Sequence, residues 1–211
     1  EESGKSLLDD DEYWKRENKA DATRNISGKA LNYIKDRLPN LVGGSADLGP
    51  SNKTVMNGAG DYSAESPEGR NIHFGVREIG MTAIVNGMLL LGGQRTYAAT
   101  FFVFADYMKP MLRLSSLMQI PQIAVFSHDS IGVGEDGPTH EPIEQLAMLR
   151  SQPNMYVFRP ADETETKAAW YCAVTSMRTP TSIVLSRQSL PVLENSSKDA
   201  LKGGYILRNE K

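Results

Sequence analysis

Short apolar runs alternate with longer stretches of helical periodicity along most of this chain. Between the runs, apolar residues recur at three- and four-residue intervals, the spacing of one helix face. Alternation of strand and helix predicts an α/β fold in which a mostly parallel sheet carries helices on both faces. The apolar runs predict strands at 41–42, 72–74, 96–97, 123–126, 155–158 and 182–185.

Several residues mark where the predicted elements begin and end. Thr23 is predicted to cap the first long helix. The 41–42 strand is predicted to run into a tight glycine turn at 43–47. Pro142 suits the first position of a later helix. Asp162 followed by Glu165 is a carboxylate variant of the capping box and predicts another helix start.

The stretch 79–91 is helical in pattern, uncharged and apolar nearly all the way round. Such a helix is expected to be covered on both faces, either in a core or in an interface. It is too short to span a bilayer.

The segment SHDSIGVGEDGPTHEP (127–142) follows the 123–126 run and holds His128 and His140, two of the three histidines. A loop of this length without regular structure is unusual in a compact domain unless it is functional. A solvated, glycine-rich crossover is the ordinary alternative. The clustering of histidines and carboxylates after a buried strand favours a functional loop.

Composition excludes several classes of protein. The chain has 211 residues, 40% of them hydrophobic and 23% charged, as in ordinary globular proteins. A formal charge of −3 gives no reason to expect nucleic acid or an anionic membrane as partner. The single cysteine, Cys172, rules out an internal disulfide and suits the cytoplasm. The acidic N-terminal text is not a secretory signal.

In parallel sheets, ligands bind beyond the carboxyl ends of the strands. That rule gathers Asp47, the 75–78 turn, 101–104, the 127–142 loop and Arg187 on one rim of the sheet.

Glu78 is the candidate with the clearest chemistry on this rim. A carboxylate in the first turn complements the helix dipole, worth roughly 0.3–1 kcal/mol, and this is the structural interpretation. The alternative is that Glu78 lies at the edge of an apolar region and shares a proton with a ligand nitrogen.

Other rim residues carry weaker signals on their own. Phe101, Phe104 and Tyr107 are more typical of a core than of a stacking site, although they follow a strand end. Arginine binds phosphate well through bidentate contacts, and the candidates for such a site are Arg24, Ser51, His128 and Arg187. Phosphate-loop, nucleophile-elbow and close-spaced zinc-ligand motifs are absent from the sequence.

Six segments carry a family resemblance: GGSADLGPSNKT (43–54), HFGVREIGM (73–81), TFFVFADYM (100–108), the 127–142 loop, RPADETE (159–165) and LSRQSLP (185–191). Together they resemble the middle, pyrimidine-binding domain of the transketolase family, and the resemblance covers about residues 20–191. The resemblance implies a flavodoxin-like sheet and an enzyme that transfers a two-carbon ketol unit between sugar phosphates. It also implies a homodimer whose thiamine diphosphate site is shared between subunits.

The resemblance also implies roles for individual residues. Glu78 corresponds to the glutamate that bonds the pyrimidine nitrogen and is catalytic, and His140 is implied as a second catalytic residue. The cofactor-binding residues implied are Glu78, Phe101, Phe104, Tyr107 and Asp47. The substrate-binding residues implied are Arg24, Ser51, His128, Asp136, His140 and Arg187.

The family's diphosphate-binding domain, which would bind Mg²⁺ or Ca²⁺, has no counterpart here, and no metal ligand is predicted in this chain. The expected organisation is an arm at 1–20, the pyrimidine-binding domain at 21–191 and a linker at 192–211 toward a missing C-terminal domain. Two hypotheses stay open: half of a transketolase active site, inactive alone, or a free-standing binding or dimerisation module without catalysis.

Overall fold

A computed structural model describes residues 7–210. Residues 1–6 of the predicted arm and Lys211 of the predicted linker lie outside the described residues. The strands are β1 Asp21–Ala22, β2 Leu41–Ser45, β3 Asn71–His73, β4 Arg95–Phe101, β5 Ile123–Ser127, β6 Tyr156–Phe158, β7 Thr181–Leu185 and β8 Ser189–Leu190. The α-helices are α1 Asp11–Trp14, α2 Thr23–Ile34, α3 Gly49–Asn52, α4 Glu78–Leu91, α5 Ala105–Leu117, α6 Gln145–Arg150 and α7 Glu163–Thr175.

The main sheet has six strands in the order β3-β2-β4-β5-β7-β6, and every neighbouring pair is parallel. This confirms the predicted α/β fold. The chain leaves β2 toward one edge of the sheet and returns through β4 toward the other. The strand order therefore reverses between β2 and β4, and a crevice opens there beyond the strand ends.

Helices cover both faces of the sheet. On one face α2 and α7 bury a cluster that includes Leu31, Tyr97 and Trp170. On the other face α4 and α5 pack together over Met108 and Phe126. Because both faces are covered, the central strands read as nearly continuous apolar runs, which is why the sequence pattern revealed them.

The predicted glycine turn after 41–42 is wrong, because Gly43 and Gly44 are interior residues of β2. A Cβ at Gly43 would overlap Tyr97, and one at Gly44 would overlap the carbonyl group of Ile72. These glycines let neighbouring strands approach closely, a role that a turn-forming composition does not reveal.

Two predicted helix starts are also wrong. Thr23 lies inside α2 with Ala22 as the N-cap, and its hydroxyl accepts a hydrogen bond from the Ser186 amide at 2.8 Å. Pro142 precedes α6, which begins at Gln145. The Asp162 cap is confirmed, since its Oδ1 accepts the Glu165 amide at 3.0 Å.

Segments at both ends of the described chain pack against the domain. Leu7 and Tyr13 are buried, and the Tyr13 hydroxyl donates to the Lys167 carbonyl at 2.8 Å. A 3₁₀ helix, Lys198–Lys202, lies against α7. No helix within residues 7–210 has both the length and the apolar character needed to cross a membrane.

Candidate functional site

An open cleft of about 730 Å³ lies beyond the ends of β2, β3 and β4, at the reversal of strand order. Asp47 and Leu48 line it from the end of β2, and Glu78 lines it from the start of α4. Phe104 and Tyr107 form the wall that follows β4. The topology thus brings together residues that are far apart in the chain, as the rim prediction required.

Glu78 is the first residue of α4 and is only 8% exposed. Within the described residues its carboxylate has one hydrogen-bond partner, the Thr100 hydroxyl, whose Oγ1 lies 3.4 Å from Oε1. A largely buried carboxyl with one long hydrogen bond retains capacity for a ligand donor. The surroundings therefore fit a group that presents an aromatic nitrogen to this wall.

Aromatic rings connect the cleft to the 127–142 loop in a continuous row. Phe104 lies 6.1 Å from Tyr107 and 5.4 Å from His140, measured between ring centroids. Phe101 is parallel to Phe104 at 6.3 Å and only 3.7 Å from His128. Phe104 and Tyr107 line the cleft, whereas the buried Phe101 supports the imidazole ring of His128.

The four predicted phosphate-binding residues come from separate elements. Arg24, on α2, donates to the main-chain carbonyl of Ser51 at 3.0 Å, so the contact of Ser51 is through its backbone. Burial, and then the charge of Arg187, lower the pKa of Arg24. Two guanidinium groups that repel each other favour an anion between them.

His128 lies at the centre of this group and is 4% exposed. Burial lowers its pKa to about 4, with smaller contributions in the same direction from Arg24 and Arg187 and an opposing one from Asp136. The imidazole is therefore neutral at pH 7. Its backbone has φ 61°, the left-handed region, which turns the chain sharply out of β5.

The 127–142 loop presents Asp136 and His140 beside the aromatic row. Asp136 is exposed, and His140 ends a 3₁₀ turn, Pro138–His140, with Nδ1 2.9 Å from the Thr139 hydroxyl. An ion pair of 2.9 Å between Asp129 and Arg159 holds the start of the loop.

Sequence reasoning missed three buried polar residues behind His128: Ser45, Asn52 and Ser127. The Ser127 hydroxyl lies 2.8 Å from His128 Nδ1, and it donates to Asn52 at 2.6 Å. Ser45 and Ser127 end strands and Asn52 ends a short helix, and short polar residues at element ends are too common a signal to single out.

The structure brings no metal site to the rim. Within residues 7–210 no group of three or more histidine, cysteine or carboxylate side chains could hold a metal ion. Asp47, at φ 60°, is exposed at the cleft.

A family profile described as "Transketolase, pyrimidine binding domain" matches residues 19–192. The chain belongs to this family. Its six-stranded parallel sheet agrees with that assignment.

Relatives with this domain are much longer than the chain. A Halalkalibacterium halodurans transketolase is 54% identical over 193 residues, which are 90% of this chain and 29% of the relative. A Staphylococcus aureus transketolase is 60% identical over 173 residues, 82% of this chain and 26% of the relative. A crystal structure of Pichia stipitis transketolase in complex with sedoheptulose-7-phosphate has a TM-score of 0.89 and 46% identity. The match covers 92% of this chain and 30% of the Pichia stipitis chain. The chain therefore spans less than a third of the length of these relatives.

Proposed function

We propose that this domain is the pyrimidine-binding part of a thiamine-diphosphate-dependent transketolase, a transferase that moves a two-carbon ketol unit between sugar phosphates. The observation that carries the proposal is the largely buried Glu78 carboxyl in the wall of the cleft, opposite Phe104 and Tyr107. When bound, thiamine diphosphate supplies the nucleophile for two-carbon transfer.

The residues of this chain contribute binding, orientation and proton handling. Glu78 holds a proton against the pyrimidine nitrogen, because its oxygens are otherwise almost unbonded. Phe104 and Tyr107 provide stacking surface, Phe101 supports the Phe104 ring, and Asp47 completes the polar edge of the cleft.

The substrate residues are proposed to divide between the two ends of a sugar phosphate. Arg24, Arg187, His128 and Ser51 bind the phosphate group, and the repulsion between the Arg24 and Arg187 guanidinium groups supports this assignment. Asp136 and His140 bind hydroxyl groups near the reacting carbons, and the contact of His140 with Phe104 supports a catalytic role for it. The sedoheptulose-7-phosphate complex of the Pichia stipitis relative supports a phosphorylated substrate.

The remainder of the site is assigned outside this chain. Mg²⁺ or Ca²⁺ would be held by the diphosphate-binding domain, and the active protein would be a homodimer with sites shared between subunits. Residues 21–191 form the domain in this proposal, 1–20 an arm and 192–211 a linker. A cytoplasmic protein is consistent with one cysteine, Cys172, whose thiol pKa burial raises to about 11. The non-catalytic alternative is not favoured, since relatives at 53–60% identity are transketolases.

The test is Glu78→Gln in the full-length enzyme. The amide keeps the shape but cannot share a proton, so turnover should fall by about 10²–10⁴-fold while the fold is retained. Glu144→Gln is the matched control, because Glu144 is exposed and its side chain caps no amide. Near-normal turnover of the purified Glu78→Gln enzyme would remove Glu78 from this role.

A further inference from the structure

A relay of buried polar groups lies directly behind the His128 ring. Nδ1 lies 2.8 Å from Ser127 Oγ, which lies 2.6 Å from Asn52 Oδ1. Asn52 Nδ2 lies 2.6 Å from Ser45 Oγ, which lies 3.0 Å from the Ala99 carbonyl oxygen. The side-chain members are 0–6% exposed, so these contacts are not shared with solvent.

The carbonyl at the end fixes the direction of every hydrogen bond in this relay. A carbonyl oxygen only accepts, so the Ser45 hydroxyl must donate to Ala99. Ser45 then accepts from the Asn52 amide, and the Asn52 oxygen accepts from the Ser127 hydroxyl. With its proton committed, Ser127 can only accept from His128. The opposite order would set the oxygen lone pairs of Ser45 and Ala99 against each other.

His128 Nδ1 therefore carries a proton, and in the neutral ring Nε2 is a hydrogen-bond acceptor. An acceptor facing a phosphate dianion repels it unless a proton lies between them. The proton can come with the phosphate or be taken up by the ring.

The charged groups around His128 determine which of these is easier. Arg24 on α2 and Arg187 after β7 oppose a positive ring, as does His140, whereas Asp136 favours it. Phe101 covers the ring at 3.7 Å, and the neighbouring Asp129 is already paired with Arg159.

The affinities of the two partners for a proton can then be compared. The pKa of His128 is lowered to about 4, chiefly by burial. The dianion of a phosphate monoester takes up its first proton near pKa 6. Because burial opposes a positive charge on the imidazole, the phosphate is the easier proton carrier of the two.

We propose that this relay makes Nε2 an acceptor, so that the site binds a phosphate group together with one proton shared with His128, and discriminates against sulfate. Ser45, Asn52 and Ser127 are positioning residues in this scheme, since they act through the imidazole. The inference rests on the proposed function, which assigns the phosphate to His128, Arg24 and Arg187.

The tautomer is tested without any ligand. In the complete 211-residue chain labelled with ¹⁵N-histidine, long-range ¹H–¹⁵N spectra at pH 7 should show a protonated Nδ1 and an unprotonated Nε2 for His128. The signal is assigned by its loss in His128→Asn. A ring protonated on Nε2 alone would overturn the inference.

The proton coupling is tested with inorganic phosphate and sulfate, which share size and shape but differ in that sulfate carries no proton near neutrality. Shifts of the His128 signals between pH 6 and pH 8.5 report binding. Above the pKa of free phosphate, its association constant should fall about tenfold per pH unit, because a proton is taken up on binding. Sulfate should bind at least about tenfold more weakly than phosphate at pH 6–7, since only the ring could supply the proton.

Ser127→Ala removes the acceptor that holds the Nδ1 proton. The neutral ring can then place its proton on Nε2, so the pH dependence should flatten and phosphate and sulfate should bind alike. Ser130→Ala is the matched control on the same loop, because the Ser130 hydroxyl contacts the Gly132 amide and Gln188 rather than the relay.

Failure of the proton coupling can be distinguished from failure of the phosphate assignment, and both are measured with the unsubstituted protein. Equal, pH-independent binding of both anions would overturn the proton coupling while leaving the phosphate site intact. The expected tautomer with no response to either anion would instead remove the phosphate assignment of the proposed function, and the coupling with it.

Discussion

At the scale of single residues, the rim works through side chains that lack sufficient partners of their own. Glu78 has one long hydrogen bond within the described residues, Arg24 lies near the like charge of Arg187, and both arginines oppose protonation of His128. Groups of this kind are candidates for ligand binding, because a ligand of opposite character would stabilise them.

Arg187→Ala tests the division of the substrate between two ends. Its proposed partner is the phosphate alone, so in the full-length enzyme KM for phosphorylated donors should rise by about 10–100-fold. KM for hydroxypyruvate, a donor without phosphate, should change little. Arg178→Ala, at an exposed position away from the rim, is the control. Equal losses on both donors would contradict the phosphate assignment.

His128→Asn should reduce the sensitivity of the domain to acid. As pH falls below about 6.5, the unfolded chain protonates this histidine first, because its pKa in the folded state is about 4. The free energy of unfolding should therefore fall between pH 6.5 and pH 4, by up to about 3 kcal/mol from this group.

Asparagine tolerates the left-handed backbone at this position, so the variant should remain folded. Urea unfolding at pH 7 and pH 4.5 measures the difference. If both proteins lose equal stability over that interval, His128 is not the group responsible.

At the scale of elements, β2 depends on its glycines for contact with both neighbouring strands. Gly44→Ala would push a methyl group into the Ile72 carbonyl of β3, a contact with backbone that cannot move aside. We expect the free energy of unfolding to fall by about 2 kcal/mol or more, as in other overpacked cores. Chemical denaturation measures this loss.

Gly87→Ala is the control for this prediction. Gly87 is exposed in α4, and a Cβ there would meet nothing within 4 Å. Alanine should stabilise the helix by about 0.5–1 kcal/mol. If Gly44→Ala lowers the free energy of unfolding and Gly87→Ala raises it, the effect of close strand packing is separated from that of backbone entropy. If both changes raise the free energy of unfolding, the packing argument is refuted.

At the scale of the whole molecule, the surface of α4 and α5 is rich in exposed apolar side chains. Ile79, Ile84, Leu90 and Leu91 of α4 are 49–86% exposed, as are Tyr107, Leu114 and Leu117 of α5 at 39–62%. Exposed apolar surfaces of this kind mark interaction sites. The expectation that α4 is covered on both faces is therefore met on the core side only within this chain.

We expect the 211-residue chain alone to lack transketolase activity and to bind thiamine diphosphate weakly or not at all. The described residues offer no metal site to neutralise the diphosphate, so stacking and one carboxyl contact must balance the cost of association. Calorimetric titration with and without a supplied diphosphate-binding domain measures this, and light scattering should show self-association. Submicromolar binding by a clean monomer would contradict the prediction.

The sequence by itself determined the local elements and the loop. The strands at 123–126 and 182–185 were readable because burial on both faces makes them continuously apolar, and Asp162 was readable because capping is local. Glu78 stood out because an uncharged helix follows it. These signals lie within a few neighbouring residues.

Only the tertiary structure decided which distant residues meet. Ser127 and Asn52 are 75 positions apart, and Thr23 meets Ser186 across 163. Gly43 and Gly44 lie inside a strand because Tyr97 and Ile72 of the neighbouring strands leave no space for a Cβ there. The hydrogen-bond order behind His128 likewise depends on the Ala99 carbonyl at the end of the relay. The local sequence pattern does not reveal such roles, because they arise only when the strand order brings separate segments into contact.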